Sequence, residues 1–171
     1  VGKTRKLMDL INKDGYHAVF VGTGAGLPMF MNIEGENLVG DFSANEYLTR
    51  ANLMRAFEKG KADTPIYPSK NVAVLGGGNV AIDVALTALR QGAKHVDLVS
   101  LERRRDMPAS PGEIETAVAE GVQLHPGWGP LRIEEEGEAI FQFCERVKDE
   151  SGRFDPKFDT NRLLTLEVDH V

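Results

Sequence analysis

The run Asn71-Val72-Ala73-Val74-Leu75-Gly76-Gly77-Gly78 constrains the fold of this chain more than any other stretch. A short β-forming run breaks into glycines, and apolar residues then recur at helical spacing through Val80, Ala81, Val84, Ala85, Ala88 and Leu89 to Gly92. Val96 to Leu101 supplies a second β-run, so Val72 to Leu101 reads as one βαβ unit of about 30 residues. Within it stands Gly76-x-Gly78-x-x-Ala81. Gly76 makes the tight turn, Gly78 lets backbone approach a pyrophosphate at the positive end of the following helix, and Ala81 keeps that helix close to the strand. A glycine turn that only links packed elements is the plainer alternative; the flanking strand and helix favour dinucleotide binding. Gly76, Gly78 and Ala81 are the candidate residues the motif itself names.

The end of the second strand should set the choice of dinucleotide. An acid there accepts a hydrogen bond from a ribose 2′-hydroxyl, whereas arginine accommodates a 2′-phosphate. The sequence offers both: Glu102 closes the strand, and Arg103-Arg104-Arg105 follows as the one concentrated run of positive charge. The competing reading is a solvated charge run. Glu102, Arg103 and Arg104 join the candidate site, with a modest preference for NADP(H) and NAD(H) as the other coenzyme the pattern admits.

The remaining elements follow from local signals. Leu7, Leu10 and Ile11 predict a short helix over Lys6–Lys13, and His17 to Val21 predicts a strand running into the glycine turn Gly22-Thr23-Gly24-Ala25-Gly26. Leu27 to Phe42 has no period and reads as an extended connection. Ser43 with Glu46 is a capping box, predicting a helix from about Ala44 to Lys59 with Tyr47, Ala51 and Met54 on one face. Ser110-Pro111-Gly112-Glu113 starts another helix, to Glu120, and Val122 to Leu124 is a third short strand. From Leu131 onward, alternating runs at Arg132–Glu134, Ile140–Val147 and Leu163–Val168 predict an antiparallel meander. The expected fold class is α/β, a Rossmann-like three-layer parallel sheet with helices on both faces and an antiparallel β-meander attached.

Composition excludes several functions. A net charge of −6 over 171 residues argues against a nucleic-acid or anionic-membrane surface. The single cysteine, Cys144, forms no internal disulfide, CxxC pair or cluster, which fits a reducing cytoplasm, and it reads as a buried thiol on a short strand. No apolar run reaches the ~18 residues of a membrane span. His17, His95, His125 and His170 lack metal-site spacing or acidic partners in sequence, so no metal is expected.

Taken together, Val19-Phe20-Val21-Gly22-Thr23-Gly24-Ala25, Ile33-Glu34-Gly35-Glu36-Asn37-Leu38, Val74-Leu75-Gly76-Gly77-Gly78-Asn79-Val80-Ala81-Ile82-Asp83 and Met107-Pro108-Ala109 resemble the glutamate synthase small-subunit family of two-dinucleotide-domain flavoproteins. The resemblance extends to Gly152-Arg153-Phe154-Asp155-Pro156 and Val168-Asp169-His170-Val171. It implies an NAD(P)H-dependent oxidoreductase in which NADPH passes hydride to FAD and on to iron–sulfur centres of a glutamate synthase large-subunit-like partner. It also implies that residues 1–40 are a partial FAD-domain segment with the interdomain connection, and that residues 41–171 are the NAD(P)H-binding domain, excised from a longer parent whose FAD domain is its partner. On alignment at Met107-Pro108-Ala109, the paired arginines of many members fall on Leu101-Glu102, and the arginines here are displaced to Arg103 and Arg104. A non-catalytic NAD(P)-sensing or interaction module is the alternative.

Overall fold

In a computed structural model, residues 3–22, 24, 26–58, 60–64, 66 and 69–171 are described. Two three-stranded sheets pack against each other. The first is parallel, in the order β1 (Asn71–Leu75), β2 (His95–Ser100), β3 (Gln123–Pro126). The second is the antiparallel meander β4 (Trp128–Glu134), β5 (Glu138–Lys148), β6 (Phe154–Glu167).

Residue alternation along the parallel strands decides which layer covers which face. Val72, Val74, Val96 and Leu98 point into one apolar cluster with Ala81, Ile82, Ala85 and Ala88 of the crossover helix and with Ile114 and Ala117 of the next helix. Ala73 and Val99 point the other way, into a cluster with Ala139 and Phe141 of the meander and Val168. Each fully buried Val, Leu or Ile contributes about 1.5–3 kcal/mol relative to exposure, so this alternation fixes the register. The three layers are therefore helices, parallel sheet and meander. Helices on both faces were expected; the meander takes the second face because its strands present Ala139, Ile140 and Phe141 as a buried apolar run.

The helices obey their caps. α1 (Leu7–Asn12) is short and exposed. Ser43 caps α2 (Ala44–Leu48) by accepting from the Glu46 N–H at 3.2 Å, as the capping box predicts. The expected continuation to Lys59 does not form. A π-helical turn occupies Thr49–Leu53, and Arg55 adopts φ +57°, a left-handed conformation that ends the helix. Tyr47 and Ala51 are buried and Met54 is half exposed, while Lys59 lies outside the described residues. α3 (Asn79–Gln91) and α4 (Pro111–Glu120) match the sequence expectation, α3 stopping at Gly92 with φ +108°.

The strand expected over His17–Val21 is irregular, and Phe20 is 95% exposed. An apolar strand needs neighbours to pair with and pack on, and no described strand lies beside it. Thr23 and Ala25 of the following turn lie outside the described residues. None of the described residues among 3–40 is buried, in keeping with loose packing there. The segment at Glu34 is nonetheless fastened to the meander, where Ile133 N–H donates to the Glu34 carbonyl at 2.9 Å. At the far end, Asp169–Val171 lies along the free edge of β1: Ala73 N–H donates to the His170 carbonyl at 3.0 Å, and Asp169 N–H to the Asn71 carbonyl at 2.8 Å. No helix among the described residues is long and apolar enough to cross a membrane.

Candidate dinucleotide-binding site

The C-terminal ends of β1 and β2 meet the N-termini of α3 and α4, and the predicted glycine turn lies at that junction. Gly76 leaves β1 with φ +135°, a conformation L side chains rarely adopt, and its N–H donates to the Val99 carbonyl at 2.9 Å. A Cβ there would stand 3.4 Å from the Ala81 methyl, so Gly76 and Ala81 together set the close strand–helix approach. Gly77 is walled in, and an added Cβ would come 3.0 Å from Glu102 Oε2, 3.2 Å from Ser100 Cβ and 3.3 Å from Pro108 Cδ. Gly78 differs from both. Its φ of −92° is unstrained, and an added Cβ would meet nothing within 4 Å.

That open space faces the first turn of α3. A helix start leaves its first N–H groups without intrahelical partners, and Gly78 carries no side chain to cap them. The first turn holds no acid, and Val80 is 52% exposed, so an anion there meets a partial positive charge and no carboxylate from the helix turn itself. Ala81, by contrast, is buried and acts through packing.

Sequence reasoning did not foresee what holds the turn. Ala109 N–H donates to the Gly77 carbonyl at 2.9 Å, and Ser110 N–H donates to Asn79 Oδ1 at 2.9 Å. The Met107-Pro108-Ala109 segment is thus the back wall of the glycine turn, with Met107 and Ala109 buried. Ser110 then caps α4 by accepting from the Glu113 N–H. Asn79 spends its side-chain carbonyl oxygen on this wall.

At the end of β2, Glu102 carries its carboxylate over Gly77, where a ribose hydroxyl would be met. Arg103 turns to the meander: its guanidinium carbon lies 4.6 Å from the Phe143 ring centroid, and Nη2 donates to the Cys144 carbonyl at 3.4 Å. Arg104 is exposed in a one-turn 3₁₀ helix, Arg104–Asp106, in which Arg105 pairs with Asp106 at 3.4 Å. The structure therefore brings Glu102 to the turn and separates the arginines from one another.

Cys144 is 1% exposed, as expected of a buried thiol. Burial pushes its pKa up, the Arg103 guanidinium opposing in part, which favours the protonated thiol. His125 does have an acidic partner: its Nε2 lies 2.6 Å from Asp97 Oδ1 across β2 and β3. Only the strand register reveals that pair, since Asp97 lies opposite Gln123 in the ladder.

Comparison with known proteins shows the family and the fold. The family described as pyridine nucleotide-disulphide oxidoreductase matches residues 3–165. The chain is 36% identical over 174 residues to the glutamate synthase (NADPH) small chain of Escherichia coli K12, with 100% of this chain and 36% of that protein covered. It is 38% identical over 156 residues to the NADP(+)-dependent formate dehydrogenase subunit beta of Moorella thermoacetica, covering 87% of this chain and 21% of that protein. The chain thus spans little more than a third of the one and a fifth of the other. In fold it is similar to Mycobacterium tuberculosis FprA in complex with NADPH, with TM-score 0.61 at 19% identity over 84% of this chain and 46% of that one. It is similar also to T. acidophilum thioredoxin reductase, with TM-score 0.56 at 11% identity over 84% of this chain and 39% of that one. The resemblance to glutamate synthase small chains drawn from the motifs is borne out, and the chain belongs to the pyridine nucleotide-disulphide oxidoreductase family.

Proposed function

We propose that this chain binds NADP(H) at the glycine turn and orients its nicotinamide toward an FAD held by the rest of a longer flavoprotein. The observation that carries this reading is the open, unstrained position at Gly78 beside the uncapped start of α3. Gly78, Asn79 and Val80 offer backbone N–H groups to the pyrophosphate, Gly77 forms the floor, and Gly76 with Ala81 sets the close approach. Glu102 accepts from a ribose hydroxyl, and Arg103 and Arg104 supply positive charge for a 2′-phosphate. When bound, the nicotinamide supplies the hydride and the flavin the acceptor. The protein's part is orientation, so no general acid or base is assigned. By analogy with glutamate synthase, electrons then pass to iron–sulfur centres of a partner subunit.

Residues 1–40 belong, on this reading, to the FAD domain and the crossing from it, and residues 41–171 to the NADP(H) domain. The exposed Phe20, Leu27, Met29 and Phe30 support this, being apolar surface that the FAD domain would cover. The buried, unpaired Cys144 fits a reducing cytoplasm.

Thermal-shift measurements with NADPH, NADH and FAD test the assignment. A ligand that binds only the folded chain adds about 2.7 kcal/mol of stability at a hundredfold excess over Kd, so NADPH should raise Tm by several degrees and FAD alone should not. A melting curve that neither nicotinamide dinucleotide moves would overturn it.

A further inference from the structure

Arg162 belongs to β6, and the β5–β6 ladder is irregular where it stands. Gln142 pairs with Leu163, but the next residue, Phe143, pairs with Asp159, so Thr160, Asn161 and Arg162 bulge from the ladder. Asn161 N–H donates to Asp159 Oδ1 at 3.0 Å within the bulge. The bulge lays Arg162 across Phe143, its guanidinium carbon 3.5 Å from the ring centroid. The same ring carries Arg103 at 4.6 Å, and Trp128 meets its edge with centroids 5.5 Å apart.

Two guanidinium groups are therefore gathered on one aromatic ring, and neither forms an ion pair among the described residues. Hydrogen bonds from a guanidinium to an anion are charge-assisted, so an anion beside this ring would find two donors without a carboxylate partner. The cluster stands at the nucleotide end of the parallel sheet. Gly127, the residue before β4, donates its N–H to the carbonyls of Ser100 at 2.8 Å and Glu102 at 3.0 Å, tying the start of the meander to the end of β2. Arg103 follows Glu102 directly, so the cluster adjoins the residue proposed to receive the ribose.

We infer that Arg162 is a specificity-determining residue that, with Arg103, receives the 2′-phosphate of NADP(H), Phe143 holding both guanidinium planes in place. This rests on the dinucleotide reading above and deepens it. Where the resemblance leads one to expect adjacent arginines after β2, this chain presents Leu101-Glu102, and a further cation comes from the meander. Phosphate is the class of ligand such a pair suits, because guanidinium forks match its oxygens in a way a lysine ammonium does not.

Calorimetric titration of the chain with NADPH and NADH, in the wild type, Arg162→Gln and Arg162→Lys, tests it. Arg162→Gln should weaken NADPH at least tenfold and leave NADH within twofold, the unchanged NADH affinity also showing that the variant is folded. Arg162→Lys should recover part of the loss, since charge returns without the fork. Unchanged NADPH affinity in Arg162→Gln, or equal losses for both dinucleotides, overturns the role of Arg162 while leaving the site at the glycine turn standing. A wild type that binds neither dinucleotide overturns both.

Discussion

Asn79 Oδ1 accepts the backbone N–H of Ser110 at 2.9 Å, joining the first turn of α3 to the cap of α4. Two helix starts that are distant in sequence are thereby held in one geometry, and both aim N–H groups toward the same side. Asn79→Ala leaves Ser110 N–H to water and should cost about 0.5–1.5 kcal/mol. Asn79→Asp keeps the acceptor but sets a negative charge beside the proposed pyrophosphate position. Its Tm should stay near wild type while NADPH affinity falls; a melting and titration series in which both variants lose binding and stability in proportion would count against the two-part role.

Gly77 and Gly78 should respond oppositely to a methyl group. At Gly77 the new Cβ presses on Glu102, Ser100 and Pro108, so Gly77→Ala should lower stability by about 1–3 kcal/mol, as overpacking does. At Gly78 the same methyl meets open space, and Gly78→Ala should melt close to wild type. Chemical denaturation of the two variants side by side measures this, and equal losses would contradict the geometry.

Burial pushes the Asp41 carboxyl from 3.8 up to about 6, with Glu36 adding to the rise and the hydrogen bond with Leu38 opposing it. Oδ2 is buried without a partner. Because the native pKa exceeds the unfolded one, the native state binds this proton more tightly. The contribution of Asp41 to stability is fully present below pH 3.8 and lost as pH rises through about 6. Asp41→Asn should therefore melt above wild type at pH 7.5, with the gap closing between pH 6 and 4. A gap independent of pH would show that the carboxyl titrates normally.

The parts of this fold legible in the sequence are those whose signals are local. The β1 run, the glycine turn, the spacing of Val80 to Leu89, the Ser110 cap and the alternation of Ile140 to Val147 each specify their own element. His17 to Val21 misled because β-propensity describes fit to a packed surface, and no described neighbour supplies one there. The α2 helix ended early because Arg55 adopts the left-handed conformation, which no residue type in that stretch announces. The site divides the same way. Gly76 to Ala81 and Glu102 could be read from spacing, but the wall at Met107 to Ser110, the Asp97–His125 pair and the meeting of Arg103 with Arg162 on Phe143 arise from register and a bulge.

The central claim is that the space at Gly78 is reserved for a dinucleotide and not required by the fold. Titration calorimetry of Gly78→Val with NADPH, beside its circular dichroism spectrum and melting curve, tests this most directly. The branched side chain fills the space where the pyrophosphate approaches the start of α3, so the account predicts a native spectrum, a near-native Tm and at least a hundredfold weaker binding. A folded Gly78→Val that binds NADPH with wild-type affinity would contradict it.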